Sequence, residues 1–464
     1  MKYIVSFFIL IFSFPVISQD IDKSAAEEIT GLASQLLDNY NIPNMVVGVT
    51  SPDSTLYLEC FGIGDEDDIY LIGSVSKSFS AAAALLLAED GIISMDDKVV
   101  DHLPWFRMKD KYYSDKINVR HLLNHTTGIP RKAGLAEPGP DEDLQEHYLK
   151  ILKKIDPKEP VDSVYEYCNL NYQLLGLVME SAAGIEYNRI MHEYLSKPLH
   201  LDHTFFTYRD AFMRLIRPHQ YLWYSPARME IPVYDNHIVP SGYIASNAKD
   251  MMTCLRESMK GYGNNEGLFQ GQVAKNLFTA REDIGSVYGM GWVDIDRQDY
   301  TLIYHDGLNT SYAAWMGFVP GLERGIVILT NINNAEVCGE LSGKIISILQ
   351  GKSVEPNPRI WFLLRHGLPL FVILVLVTFM FRIKNWRMKA YPIGYTLKPM
   401  PNLYLFFGLI FSFFFLFYFP SATDTPMGQI IRYDPNAGIS LVLLSIFILM
   451  NSLLRYFTAA GKST

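Results

Sequence analysis

Apolar positions recur at helical spacing over residues 21–40, which predicts an amphipathic helix at the start of the globular part of the chain. Two β-rich runs follow, 44–50 and 55–61, on either side of the turn residues Pro52-Asp53-Ser54. From Ser74 to about Asp90 the chain is rich in Ala and Leu and ends on Gly91. It is apolar on most sides, which predicts a buried helix. Residues of about 100–260 read as loop-rich and helical. Three β-like runs then appear at 302–305, 312–318 and 325–329, the last two separated by Pro320-Gly321, and 334–349 reads as a helix. Strands and helices at both ends of a helical middle predict an α+β fold: one antiparallel sheet flanked by helices, plus a mainly helical subdomain.

The pattern changes after Pro358. Three long apolar runs, at about 360–381, 403–419 and 439–454, each approach the roughly 20 residues that a helix needs to cross a bilayer. Arg365 and His366 interrupt the first. The linker after it carries Arg382, Lys384, Arg387, Lys389 and Lys398 and no acidic residue; the next carries Asp424 and Asp434 against Arg432 alone. The positive-inside rule puts the basic linker in the cytoplasm, and with it the C-terminus, leaving the globular part outside. The N-terminus agrees: Lys2, an apolar run to about Ile17, and Val16 and Ser18 at the −3 and −1 positions of a cleavage site read as a signal peptide. The expected division is therefore 1–18 signal peptide, 19–352 globular domain and 353–464 membrane region with three transmembrane helices. The setting would be a bacterial inner membrane, with the globular domain periplasmic or extracellular.

Composition sharpens this in three ways. The 464 residues allow one large domain or two ordinary ones, and 49% hydrophobic against 19% charged residues fits a chain with membrane segments. A net charge of −9 argues against a nucleic-acid partner. Cys60, Cys168, Cys254 and Cys338 form no C-x-x-C pair, so no zinc or thioredoxin-like site is expected; one disulfide is possible but unassignable. His200 and His203 have a spacing metals can use, but read as an ordinary loop, and no metal or cofactor is expected. Glu137, Asp141, Glu142 and Asp143 read as a solvated acidic loop.

Three short motifs carry candidate chemistry. In Ser74-Val75-Ser76-Lys77 a helix would place Ser74 and Lys77 one turn apart on one face. A serine hydroxyl is a poor nucleophile until a neighbour takes its proton, which a lysine of lowered pKa can do. In Tyr167-Cys168-Asn169, a tyrosine near a lysine ammonium would ionise more easily and serve as base and acid. Asn169 could bind a substrate carbonyl in the same cleft. His305-Asp306-Gly307 closes an apolar β-like run; a strand there can offer a backbone N–H to an oxyanion, and glycine allows close approach. His305 would supply a positive or hydrogen-bonding group facing Ser74. Taken alone, the last motif reads more readily as a strand end followed by an ordinary Asp-Gly turn.

The set Ser-x-x-Lys, Tyr-x-Asn, His-x-Gly, in this order, resembles the serine β-lactamase-related superfamily, which includes class C β-lactamases, D-alanyl-D-alanine carboxypeptidases and related esterases. The stretches 122–130, 171–176 and 288–292 resemble the family's flanking segments, and the resemblance covers about 30–350. It implies a β-lactamase/transpeptidase-like fold and a serine hydrolase. Ser74 would form an acyl-enzyme, Lys77 and Tyr167 would move its proton, and Asn169 would orient the substrate. His305 and Gly307 would line the opposite wall, and the backbone N–H groups of Ser74 and Leu308 would form an oxyanion hole. The substrate would be a small molecule or peptide. Two departures stand out: Cys168 replaces the usual serine, and His-Asp-Gly replaces the Lys-Thr-Gly of penicillin-recognising enzymes. A histidine is only partly charged near neutral pH, and Asp306 would repel a substrate carboxylate if it faced the cleft. Esterase, amidase or peptidase activity therefore stays open beside carboxypeptidase or β-lactamase, as does a non-catalytic membrane sensor.

Overall fold

The computed structural model describes residues 21–139, 142–231, 233–357, 367, 370–381, 401–418, 420 and 427–460. The expected signal peptide, the basic linker and most of 360–369 lie outside these residues. In chain order the elements used below are α1 (Lys23–Asn39), β1 (Asn44–Thr50), β2 (Thr55–Gly62), β3 (Tyr70–Leu71), α2 (Ser76–Glu89), α3 (Asn169–Ala183), β4 (His219–Leu222), β5 (Ser225–Arg228), β6 (Ala245–Ser246), α4 (Ala248–Asn264), β7 (Val293–Asp296), β8 (Thr301–Leu308), β9 (Ala313–Val319), β10 (Arg324–Thr330) and α5 (Ala335–Leu349).

Six strands form one antiparallel sheet in the order β2-β1-β10-β9-β8-β7. Strand alternation sends side chains to two cores. Met45, Val47 and Val49 of β1 and Ile326 and Ile328 of β10 pack with Leu32 and Leu36 of α1 and Leu341 and Ile345 of α5. Val46, Met316, Phe318, Val327 and Leu329 point the other way, onto α4 and into the core that α2 and α3 share. β1 and β9 are buried along their whole length because both faces are covered. The α+β fold expected from the pattern is the fold observed. α2 is buried from Ser76 to Leu87, as its all-round apolar sequence requires.

Three departures from the sequence pattern matter for the site. β8 does not stop at His305: Asp306 pairs with Trp315, Gly307 with Ala314 and Leu308 with Ala313. The expected Asp-Gly turn is therefore strand. Edge strand β7 was not predicted, because Val-Asp-Ile-Asp is short and half exposed. A separate hairpin, β4–β5, rises from the middle of the chain. All four cysteines are free, so the possible disulfide is not formed.

Of the three expected spans, one described helix is long and apolar enough to cross a membrane, Pro435–Leu453. The other runs give shorter apolar helices, Leu370–Phe381 and Phe406–Tyr418. Most of the N-terminal part of the first run lies outside the described residues. In the second, the α-helix Pro401–Phe413 passes into a wider π turn, Phe414–Tyr418.

Candidate active site

A positive φ of 54° at Gly73 lets the chain turn sharply out of β3 into the short 3₁₀ turn Gly73–Val75 and then α2. A Cβ at Gly73 would strike the backbone nitrogen of Leu308. Gly307 is equally close from the other side: a Cβ there would meet the Ile72 carbonyl and lie 3.2 Å from the Ser74 nitrogen. Two glycines thus let β8 press its backbone against the turn that carries Ser74. The Ser74 and Leu308 backbones meet here, as an oxyanion hole between them requires.

At the second position of α2, one turn after Ser74, Lys77 is fully buried. Its Nζ donates to Ser74 Oγ at 3.2 Å, to Asn169 Oδ1 at 2.9 Å and to the carbonyl of Ser241. Burial pulls its pKa from 10.5 to about 7, against the opposing pull of Cys168, Asp306 and Glu137. Near neutral pH much of it is therefore a neutral amine, able to take a proton from the serine hydroxyl. The ring of Tyr167 lies 4.8 Å from Nζ, and its hydroxyl bonds Ser74. Burial holds the Tyr167 hydroxyl well above the usual phenol range, and the bond to Ser74 only partly offsets this. The expectation that a lysine charge eases Tyr167 ionisation is thus reversed: with both groups desolvated, the tyrosine keeps its proton and the lysine gives its up.

Tyr167 and Asn169 are set in place by His125. Its left-handed backbone (φ 57°) turns the ring inward, where Nδ1 accepts from the Cys168 N–H at 3.3 Å and from Asn171 Nδ2 at 3.1 Å. Tyr167, Tyr172 and Tyr288 pack around it with ring centroids at 4.5, 5.2 and 5.1 Å. Burial keeps His125 neutral, and its bonds to Cys168 and Asn171 give it a structural place behind Tyr167.

For His305 the sequence left a positive or a hydrogen-bonding role open, and the structure favours the second. It is buried at the back of the site, with Nε2 3.1 Å from the Tyr288 hydroxyl and Nδ1 2.7 Å from the Asp306 carbonyl. Burial lowers its pKa, more than the charge of Asp306 restores it. It stands beside Tyr167, at 6.4 Å between rings, as a neutral group and not as a cation. Asp306, next along the strand, is exposed on the other face. Glu137 is a second correction. It belongs to no solvated loop: its side chain is 11% exposed, bonds the Tyr243 hydroxyl at 3.0 and 3.1 Å, and pairs with Arg432 at 3.2 Å. Sequence reasoning also missed Ser241, which contributes a carbonyl, and gave Tyr288 no role. His200 and His203 sit apart: His200 ends a helical turn at φ 53°, and the His203 N–H bonds Asp250.

A family model described as "Beta-lactamase" matches residues 29–343. The protein flp of Staphylococcus aureus (strain MRSA252) is 27% identical over 271 residues, 58% of this chain and 54% of flp. The chain thus spans about half the length of that relative. Penicillin-binding protein 4 of Amycolatopsis lactamdurans is 25% identical over 315 residues, covering 63% of this chain and 82% of that protein. Two solved structures share the fold. The octameric penicillin-binding protein homologue from Pyrococcus abyssi has a TM-score of 0.61 at 19% identity, covering 74% and 81% of the two chains. A D-stereospecific amidohydrolase from Streptomyces sp. has a TM-score of 0.56 at 21% identity, covering 70% and 98%.

Proposed function

This chain belongs to the β-lactamase family, and from that premise we propose that it is a membrane-anchored serine hydrolase working through an acyl-enzyme on an ester, amide or peptide. The observation that carries the reading is Lys77: a buried amine with a pKa of about 7, 3.2 Å from Ser74 Oγ. In this reading Lys77 takes the Ser74 proton as Oγ attacks the substrate carbonyl. The oxyanion forms against the Ser74 and Leu308 N–H groups. Protonated Tyr167, bonded to Ser74, passes a proton to the leaving group as its bond to the acyl carbon breaks, and the Lys77 proton restores the tyrosine. Asn169 fixes Lys77 and orients the substrate. Water then adds to the acyl carbon, returns a proton through the same pair and frees Ser74.

A neutral His305 offers no fixed cation for a substrate carboxylate, which favours esters and amides over penicillin-like substrates. Labelling the full chain with a fluorophosphonate and with a fluorescent penicillin tests this. Label from the first alone, lost in Ser74→Ala, supports it. Label from both would favour a penicillin-recognising enzyme, and label from neither would remove catalysis.

The same reading places residues 1–18 as a signal peptide, 19–352 as the hydrolase domain and 353–464 as a region of three spans in the cell membrane. The basic linker and the C-terminus are then cytoplasmic and the hydrolase domain external. Docking of the helix Met427–Tyr433 on the hydrolase domain supports it: the linker between spans two and three should lie on the hydrolase's side.

A further inference from the structure

The segment preceding the long apolar helix reaches from the turn beside Asn169 toward the end of β8. On one side Gln429 Nε2 donates to the Leu135 carbonyl at 2.8 Å, and Arg432 pairs with Glu137. Leu135 belongs to the turn Arg131–Leu135, whose Gly134 packs on the backbone of Asn169. On the other side Gln220 Nε2, buried on β4, donates at 2.8 Å to both the Arg432 carbonyl and the Thr310 carbonyl. Thr310 lies two residues beyond Leu308, past the end of β8. Residues 429–432 therefore bridge the Asn169 wall and the β8 wall, and three residues later Pro435 begins the apolar helix.

The β4–β5 hairpin marks the same level. Its strands are joined by the two residues Trp223 and Tyr224, since Leu222 pairs with Ser225. Trp223 has φ 64° while Tyr224 is not in the left-handed region. That is the backbone of a turn whose first central residue is ordinarily glycine. A bulky side chain there is strained and points to a use for the ring itself. The Trp223 N–H donates to Asn436 Oδ1 at 2.9 Å and its carbonyl accepts from Asn436 Nδ2 at 3.1 Å. Asn436 is in the first turn of the apolar helix. The Tyr224 hydroxyl stands 2.8 Å from the point that a Cβ on Gly367 would occupy, just before the apolar helix Leu370–Phe381. The tip thus touches the leading ends of two apolar helices, while Leu222 is 54% and Trp223 38% exposed. Tryptophan and tyrosine collect at the headgroup level of bilayers. Trp223 is three strand positions from Gln220, about 10 Å.

We propose that the active-site cleft opens at the bilayer surface, with Leu222, Trp223 and Tyr224 seated among the headgroups, and that its substrate is a membrane-held amphiphile: an ester or amide carried on a lipid chain. The inference rests on the serine-hydrolase reading and adds the substrate class to it. A substrate anchored in the outer leaflet presents its scissile bond at the level of residues 429–432. A freely soluble one gains nothing from the hairpin.

The test uses the full chain in lipid nanodiscs. Two umbelliferyl esters are compared, butyrate, which is water-soluble, and palmitate, which partitions into the disc. The variants are wild type and Trp223→Asn, which suits a left-handed backbone and removes only the ring. The expected result is a palmitate-to-butyrate ratio of kcat/KM about tenfold lower in the variant, with the butyrate rate unchanged. Quenching of tryptophan fluorescence by lipids brominated near the headgroup should also fall in Trp223→Asn. An unchanged ratio, or palmitate left intact while butyrate turns over, overturns the inference, and so does unchanged quenching. If fluorophosphonate fails to label Ser74, the hydrolase reading itself is lost and the substrate class with it; label without palmitate preference sinks the substrate class alone.

Discussion

Replacing Lys77 by methionine should change the pH dependence of stability as well as abolish activity. The folded pKa of about 7 lies below the 10.5 of an ordinary lysine, so between these values the unfolded chain binds the proton that the folded chain has released. Wild-type stability then rises with pH across that window. The deficit relative to a pH above 10.5 is about 4 kcal/mol at pH 7 and about 2 kcal/mol at pH 9. Methionine has no proton to bind, so the variant lacks this slope. It also leaves Asn169 Oδ1 and the Ser241 carbonyl short of a donor, about 1–3 kcal/mol each, but that loss is the same at every pH. The stability of Lys77→Met relative to wild type should therefore fall by about 2 kcal/mol from pH 7 to pH 9. Denaturant titration of the full chain in detergent at pH 7, 8 and 9, followed by tryptophan fluorescence, measures it. Parallel pH curves for the two proteins would refute a desolvated, half-neutral lysine.

Tyr167→Phe should lower acylation by about two to four orders of magnitude. Pairing it with Lys77→Met should add little, because both serve one proton-transfer unit; stopped-flow labelling of single and double variants checks this. Gly307→Ala should push β8 off the Ser74 turn, since the new methyl meets the Ile72 carbonyl. We expect a loss of about 1–3 kcal/mol in stability together with slower labelling, and an unchanged labelling rate would detach Gly307 from the site. A reporter active only in the cytoplasm should be active when fused after Thr464 and silent when fused near Asn357. The same signal from both sites would remove one of the three spans.

Much of the site was legible because its geometry is local. Ser74 and Lys77 share one helical turn, Tyr167 and Asn169 lie at the entrance of one helix, and the strands β1, β2, β9 and β10 show in their apolar runs. What stayed hidden depends on burial or on distant partners. The charge state of His305 follows from its burial beside Tyr288, and a histidine in a strand does not announce that. Glu137 looked solvated because its neighbours are acidic, but its partner Arg432 is 295 residues away. The β8 run through Asp306-Gly307 defied the turn signal of that dipeptide because pairing with Trp315 and Ala314 outweighs local preference. The hairpin tip at Trp223 was unreadable for the same reason: a tryptophan occupies a position where a glycine would have given the turn away.

The most direct measurement is mass spectrometry of the full chain after reaction with a fluorophosphonate, followed by proteolysis. We expect one adduct, on the peptide containing Ser74, formed faster as pH rises and levelling off above about 7, where Lys77 has lost its proton. An adduct on any other residue, or none on a folded protein, would contradict Ser74 as the nucleophile.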